Sequence, residues 1–316
     1  MRYVITGGSG VIGTALATSL LADGHEVIAL SRNPAGRELP RGVHGVKWDA
    51  RTADGWGEWA DGAFAIVNLA GESIGGSGTI PMPGTWSAER KRRIKESRRL
   101  AGEAVVAAVA AAAVKPRVVF QMSGIDYYPT TNAKSPATDP VMTEESAPGR
   151  QFPADVVSDY WEPVTAPVEA LGVRRVIART APLLNRQTGP LPASLLQFRL
   201  FAGGRLGSGR QWFTWIHTDD AVRAIRHLTE NEAARGVYNV AAPDMVTNAE
   251  FTRVLGRVMG RPSILPVPAF ALKLMLGEVS TLVLAGRRVS VDKLQALGFT
   301  FRFPTLAAAL RDLIEN

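Results

Sequence analysis

The stretch RYVITGGSGVIGTALATSLLADGHEVIALS, residues 2–31, constrains the fold more than any other part of the chain. RYVIT is a short β-rich run, GGSGVIG is a turn, and TALATSLLADG repeats apolar residues at helical spacing until Gly24 offers a C-terminal stop. HEVIALS then reads as a second strand. Strand, glycine turn, helix, strand is one βαβ unit, whose crossover is right-handed and whose strands are parallel. GVHGVKWD, FAIVNLAG, RVVFQMSG and RRVIARTA are further strand-like runs, and Ser87 to Val114 is helical. The pattern predicts an α/β fold with a doubly wound parallel sheet.

After Arg179 the texture changes. TAPLLNRQTGPLPASLLQF and RPSILPVPAFALKLMLG mix proline, glycine and apolar helical stretches, as a substrate-facing lobe does. Residues 1–180 are therefore read as the sheet domain and 181–316 as a smaller, mainly helical C-terminal lobe. The two interleave, because GVYNVAA near Gly236 has the pattern of a buried strand and takes residues 236–242 back to the sheet.

With 316 residues, 46% of them apolar, the chain can bury a large core. Cysteine is absent, which removes disulfides, thiolate metal sites and a cysteine nucleophile. His25, His44, His217 and His227 have no metal-ligand spacing, so no metal is expected. The alanine-rich run AVVAAVAAAAV is too short to span a hydrocarbon core of about 30 Å. The first residues enter a strand at once, so a cytoplasmic protein without membrane attachment is expected. A net charge of +7 suits anionic ligands such as nucleotides, but equally suits nucleic acid or mere solubility.

In GGSGVIG, Gly7, Gly10 and Gly13 allow a tight turn, close approach of backbone to a pyrophosphate, and close packing of helix on strand. Ser9, Val11 and Ile12 lie at the helix N terminus, which supplies N–H donors. A glycine turn alone also fits an ordinary loop; the strand before it and the amphipathic helix after it favour a nucleotide. About 20 residues beyond the first glycine, an acid would normally bind the ribose 2′-hydroxyl of NAD. Here the chain offers Ser31 and Arg32. A guanidinium pairs with a 2′-phosphate and a serine adds a hydrogen bond, so NADP(H) is the expected cofactor. The alternative is a solvated surface arginine.

These residues resemble the extended short-chain dehydrogenase/reductase superfamily, whose glycine turn reads GGxGxIG. More narrowly, the chain is similar to its epimerase-like subgroup, described as nucleoside-diphosphate-sugar epimerases or cell-division inhibitors. The marks are VNLAGESI, WSAERKRRIKESR, QMSGIDYYP, TEESAPG, DYWEP, RQWFTWIHTDD, YNVAAPDMVTNAEF and LGFTFRFPTLAAAL, in order along nearly the whole chain. The resemblance implies a Rossmann-type domain binding NADP(H), a smaller lobe over the nicotinamide, and substrate between them. It places Leu69, Ala70 and Gly71 under the cofactor with Glu72 just beyond, and puts Asp49 where an acid often contacts adenine. Asp49 and Glu72 could instead be solvated loop acids.

The superfamily's Tyr-x-x-x-Lys pair is missing: its expected positions carry Ala154 and Ser158. The upstream hydroxyl slot falls on Ser123 or on Gly124, and only Ser123 can donate a hydrogen bond. Tyr127 and Tyr128, with Asp126, follow the same strand end, where ligands collect in open α/β sheets. Either phenol is a candidate proton donor, against the alternative of a packing tyrosine. Glu144 and Glu145 are candidates to reach the cleft, and Glu145 is assigned to substrate.

The WSAERKRRIKESRR helix is capped by Ser87, with Glu89 in its first turn. Its charge invites a nucleic-acid reading, but no aromatic platform accompanies it, so a solvated face is favoured. A pocket role for Lys91 or Arg98 is the remaining option. In SGRQWFTWIHTDD, Arg210 and Gln211 can bind an anionic or hydroxylated group and Trp212 and Trp215 offer apolar walls, as would suit a sugar nucleotide. Alternatively both tryptophans are core and Arg210 pairs with Asp219 or Asp220. His217 is read as structural. The expected function is an NADP-dependent oxidoreductase or epimerase-like enzyme acting on a carbonyl or carbinol carbon; a non-catalytic NADP(H)-binding regulator is the alternative.

Overall fold

A computed structural model describes residues 1–35, 39–75, 86–131 and 138–315. Seven parallel strands form the sheet: β1 (Arg2–Thr6), β2 (Glu26–Ser31), β3 (His44–Lys47), β4 (Ala65–Asn68), β5 (Val118–Gly124), β6 (Arg174–Thr180) and β7 (Gly236–Val240). Their order across the sheet is β3-β2-β1-β4-β5-β6-β7, so the winding direction reverses between β1 and β4. A crevice opens at such a switch point, outside the carboxyl ends of the strands.

The principal helices are α1 (Val11–Ala22), α2 (Ala88–Ala111), α3 (Leu191–Arg199), α4 (Thr218–Glu230), α5 (Asn248–Met259), α6 (Ala269–Leu276) and α7 (Leu306–Glu315). Alternate residues of each strand point to opposite faces, so a sheet covered on both sides reads as an apolar run. Tyr3 and Ile5 pack with Leu16 and Leu20 of α1 and Ile225 and Leu228 of α4. Val4, between them, packs on the other face with Ala101, Val105 and Ala108 of α2.

Ser87 caps α2, its hydroxyl accepting from the Arg90 N–H at 3.3 Å. The helix stops at Ala111, three residues before the expected Val114. There Lys115 Nζ donates to the carbonyls of Ala110 and Ala112 at 2.8 and 2.7 Å, satisfying helix-end acceptors.

Beyond β6 the chain builds a second core from Leu191, Leu195 and Phe198 of α3, Trp215, Phe251 and Leu255 of α5, and Leu306 and Leu310 of α7. It also returns to the sheet, where β7 pairs with β6 along Gly236–Val240. Asp220, 1% exposed, joins α4 to the C-terminal segment: its carboxylate accepts from the N–H groups of Arg302 and Phe303 at 2.7 and 2.8 Å. Among the described residues no helix is long and apolar enough to cross a membrane, and no group of three or more His, Asp or Glu side chains could hold a metal ion.

His217 is buried and caps α4, its Nδ1 accepting from the Asp219 N–H at 3.1 Å while the ring packs on Phe303. Burial holds its pKa below the ordinary histidine value; Asp219, Asp312 and Asp220 oppose the shift and Arg302 reinforces it. An unfolded chain protonates this histidine below about pH 6.5, whereas the native state keeps it neutral to lower pH. Its contribution is therefore complete above that value and is lost as pH falls through the depressed native pKa. The urea midpoint is expected to drop between pH 7.5 and 5.5, and His217→Gln should flatten that drop; an unchanged slope in the variant would remove His217 as its source.

Candidate functional site

The glycine turn sits at the end of β1, beside the switch point. A Cβ on Gly8 would lie 2.6 Å from the Ala29 Cβ, and one on Gly13 would lie 2.7 Å from the Gly7 carbonyl oxygen. Gly7 has φ +66°, in the left-handed region, and the Gly10 N–H closes the turn onto its carbonyl at 2.9 Å. No side chain caps α1 at Gly10 and its first turn holds no acid, so the leading N–H groups around Val11, Ile12 and Gly13 present positive ends outward. Ser9 and Ser31 share a hydrogen bond at 2.9 Å across the cradle. Arg32 is exposed just beyond and makes no hydrogen bond or ion pair with any described residue. This donor set fits a dinucleotide, and its basic end fits a phosphate on the adenosine ribose.

A buried polar chain fixes the floor beneath. Thr6 donates to Asn68 Oδ1 at 2.6 Å, Asn68 Nδ2 donates to Gln121 Oε1 at 2.9 Å, and Gln121 Nε2 donates to the Met122 carbonyl at 2.7 Å. Thr6 Oγ1 also accepts from the N–H groups of Leu69 and Ala70, at 3.1 and 3.2 Å. The backbone expected under the cofactor is thus set by a side chain of the central strand.

Gly71 and Glu72 are tied to α2. The Glu72 N–H donates to Ser97 Oγ at 3.0 Å, Arg98 donates to the Glu72 carbonyl at 2.9 Å, and the Glu72 carboxylate pairs with Arg93 at 3.4 Å. Asp49 serves its own loop, accepting from the N–H groups of Arg51 and Thr52 at 2.7 and 2.9 Å and from the Thr52 hydroxyl at 3.2 Å. Burial is the largest single influence and opposes its ionised form, but the three hydrogen bonds and the Arg51 charge together outweigh it and hold the carboxyl below its ordinary pKa.

The other half of the site gathers where β5, β6 and β7 end. Arg179 grips Glu162 bidentately, Nε to Oε1 and Nη2 to Oε2, both at 2.8 Å. Ser123 donates to the same Oε1 at 2.7 Å. Arg179 Nη1 donates to Tyr128 Oη at 3.0 Å, and that phenol donates to Asn239 Oδ1 at 2.7 Å. Glu144 Oε1 accepts from the Asn239 N–H at 2.8 Å, and the Glu144 carbonyl accepts from Arg179 at 3.2 Å. Burial works against the Arg179 charge, but the contacts with Glu162 and Tyr128 outweigh it and raise the pKa. Burial also pushes Tyr128 up to about 12, against the lowering effect of Arg179 and Asn239.

The structure sorts the sequence candidates. Ser123, 2% exposed, donates to Glu162 and Tyr128, 0% exposed, donates to Asn239, so each hydroxyl proton is held inside the protein. Tyr127 is partly exposed and lies under Arg179, whose Cζ is 3.3 Å from the ring centre. Of the two glutamates, Glu144 turns inward to the Asn239 N–H whereas Glu145 is exposed. Gln211 is buried and clamps the lobe, its Nε2 donating to the carbonyls of Leu206 and Val283 at 2.9 and 3.0 Å. Trp212 donates to Asp139 at 2.8 Å, and Arg210 is exposed beside it. Trp215 is core and cannot wall a ligand surface. Asp219 pairs with Arg302 and Asp220 with Arg223, rather than with Arg210. Ala154 is buried, and Ser158 donates to Asp159, so neither replaces the missing tyrosine or lysine.

Sequence reasoning missed Glu162, Arg179, Asn239, Asn68 and Gln121. For all but Glu162, which follows a helical segment, the available signal was a polar residue near the carboxyl end of an otherwise apolar strand, in AIVN, VVFQMSG, RRVIART and GVYNV.

The NAD dependent epimerase/dehydratase family matches residues 3–241, and a domain of unknown function, DUF1731, matches residues 267–313. An epimerase family protein of Staphylococcus haemolyticus, SH2119, is 34% identical over 317 residues, covering 99% of both chains. The crystal structure of human epimerase family protein SDR39U1 (isoform 2) with NADPH is 31% identical, with a TM-score of 0.85 and 100% of both chains covered. A nucleoside-diphosphate sugar epimerase from Corynebacterium glutamicum is 30% identical with a TM-score of 0.75, covering 99% of this chain and 58% of that one. With its glycine cradle at the switch point and these matches along its length, the chain belongs to the NAD dependent epimerase/dehydratase family.

Proposed function

We propose that the chain is an NADP(H)-dependent oxidoreductase or epimerase-like enzyme acting at a carbonyl or carbinol carbon, with sugar nucleotides as a candidate substrate class. The observation that carries this reading is the buried Ser123–Glu162–Arg179 array at the carboxyl ends of β5 and β6, on the same edge of the sheet as the glycine cradle that follows β1. A human relative solved with NADPH supports the cofactor, and a relative described as a nucleoside-diphosphate sugar epimerase supports the substrate class.

In this reading Gly7, Ser9, Gly10, Val11, Ile12 and Gly13 hold the pyrophosphate, Ser31 and Arg32 hold the 2′-phosphate, and Leu69, Ala70 and Gly71 pass beneath the cofactor. When bound, the nicotinamide supplies or receives hydride. Ser123 hydrogen-bonds the reacting oxygen and Glu162 takes or returns its proton, while Arg179 keeps the carboxylate in place. Tyr127 borders this array, and Tyr128 positions Arg179 from behind. The lobe from residue 181 onward forms the substrate wall, with Arg210 on its exposed side. The regulator reading is favoured by one observation, the deep burial of Ser123 without a neighbouring Tyr-x-x-x-Lys pair. Substrate-dependent NADPH oxidation across sugar nucleotides and carbonyl compounds separates the two: tight NADPH binding with no turnover anywhere in the screen would support the regulator.

Arg32→Ala is expected to weaken NADPH binding about 10- to 100-fold, the worth of a charge-assisted phosphate contact, and to leave NADH binding nearly unchanged. Equal loss of both in calorimetric titration would sink the 2′-phosphate assignment. Ser123→Ala and Glu162→Gln should each lower kcat by about 10²–10⁴-fold with NADPH affinity retained; unaltered turnover would remove them from the proton path. Tyr128→Phe strips a partner from both Asn239 and Arg179, and should reduce stability by about 1–3 kcal/mol in urea unfolding.

A further inference from the structure

Arg98 lies on the buried side of α2, against the Gly71 loop. A Cβ on Gly71 would lie 3.3 Å from the Arg98 Cζ, and the guanidinium stacks over the Trp161 ring with Cζ 4.2 Å from its centre. The residue is 4% exposed, yet no carboxylate among the described residues comes within ion-pair distance. The two acids that act on it electrostatically, Asp126 and Glu72, are each held by another guanidinium: Asp126 by Arg287 at 2.6 Å and Glu72 by Arg93 at 3.4 Å. Arg98 Nη1 donates to the carbonyls of Glu72 and Ile94 at 2.9 and 3.0 Å. Its Nε is buried without a partner, and so is the indole Nε1 of Trp161. Nη2 makes no hydrogen bond to any described residue. Two unpartnered donors therefore lie in the stack, around a positive charge that has no acid of its own.

We propose that Arg98 is an anion-recognition residue, whose unfilled guanidinium edge takes a phosphoryl or carboxylate oxygen of the ligand held at the Gly71 loop. A buried, unpaired charge is expensive to keep, and an incoming oxyanion supplies both the counter-charge and the missing acceptors. Burial lowers the Arg98 pKa to about 10, opposed by Asp126 and Glu72, so the group stays cationic at neutral pH. The oxyanion belongs either to the dinucleotide or to the substrate, and the site rests on the cleft binding both, as proposed above.

The test uses the full chain as wild type, Arg98→Lys and Arg98→Met. NADPH and NADH are titrated calorimetrically, and inorganic phosphate and succinate are titrated into NADP⁺-saturated protein while tryptophan emission is followed, with Trp161→Phe as the control that assigns the response to Trp161 among the seven tryptophans. If the dinucleotide supplies the oxyanion, Arg98→Met weakens NADPH and NADH by the same factor, at least tenfold, and Arg98→Lys recovers part of it. That pattern differs from Arg32→Ala, which separates the two dinucleotides. If the substrate supplies it, dinucleotide affinity is unchanged, and the emission response to phosphate or succinate seen in wild type disappears in Arg98→Met. Wild-type behaviour of Arg98→Met toward every probe would overturn the proposal. So would an equal binding loss in both variants that follows a fall in melting temperature, because that marks a structural tie. If wild type binds neither dinucleotide, the proposed function fails, and the phosphate titration on the cofactor-free protein still decides Arg98.

Discussion

The bidentate pair between Arg179 and Glu162 is the contact on which the candidate site depends. Both side chains are nearly sealed from water, at 4% and 10% exposure, so removing either one strands a buried charge at a cost of about 3–5 kcal/mol. The pair tolerates its surroundings because its remaining hydrogen-bonding capacity is used. Ser123 donates to one carboxylate oxygen, Tyr128 and the Glu144 carbonyl accept from the third guanidinium nitrogen, and the guanidinium carbon lies over the Tyr127 ring. Strands β5, β6 and β7 and the loop at Glu144 are thereby fastened at their ends by one charge pair. Glu162 reaches this position through a local change of helical pitch. Its N–H donates to the Val157 carbonyl, five residues back, at 3.1 Å. Such a wide turn takes an extra residue and rotates the downstream side chains by about 100° around the helix axis. The helix that lacks Tyr-x-x-x-Lys thus delivers a carboxylate to the end of β5.

A second polar system does for the cofactor side what the ion pair does for the chemical side. Thr6, Asn68 and Gln121 are fully buried, and each finds a partner on the neighbouring strand. The register makes this possible: Thr6 is level with Asn68, and Asn68 with Gln121. Buried amides of this kind are tolerated only when satisfied, and a satisfied chain holds one arrangement of the backbone above it. The Leu69–Ala70 peptide groups inherit that rigidity through Thr6. The Gly8 and Gly13 contacts fix the opposite wall, where no side chain fits.

The sequence carries the architecture clearly, because strand burial on two faces writes itself as apolar runs and the glycine turn has a steric reason at each position. All seven runs read as strands are strands of the one sheet. The glycine cradle is local, within about 30 residues, and its geometry is equally legible. The chemical half is not local. Glu162 and Arg179 are 17 residues apart, while Tyr128 and Asn239 are 111 apart, and nothing in pattern or propensity encodes which distant polar residues meet. Ambiguities of one residue follow from the same cause: TEES offers two adjacent glutamates, and only the fold says that Glu144 turns inward and Glu145 outward. RQWFTW offers two tryptophans, of which Trp215 fills the lobe core while Trp212 donates to Asp139. A polar residue at the end of an apolar strand is the residual clue, since in an open α/β sheet those ends converge on one crevice.

The two polar systems also bear on how the lobe and the sheet domain work together. Three contacts cross between them close to the Gly71 loop: Lys91 pairs with Glu278, Arg287 pairs with Asp126, and Leu282 lies beside Gly75. They fix the wall that faces the end of β5 to the same frame as the cofactor loop. A protein that only sensed a dinucleotide would gain its affinity from the glycine cradle and Arg32. In such a protein a serine hydrogen-bonded to a clamped carboxylate at the end of β5 would be structural, its desolvation offset by its hydrogen bonds alone. A hydride-transferring enzyme needs such a group, because charge that develops on an oxygen must be met by a proton donor already in place. In the proposed enzyme that role would fall to Ser123 and Glu162; in a regulator the same buried array would serve only to fasten the ends of β5, β6 and β7.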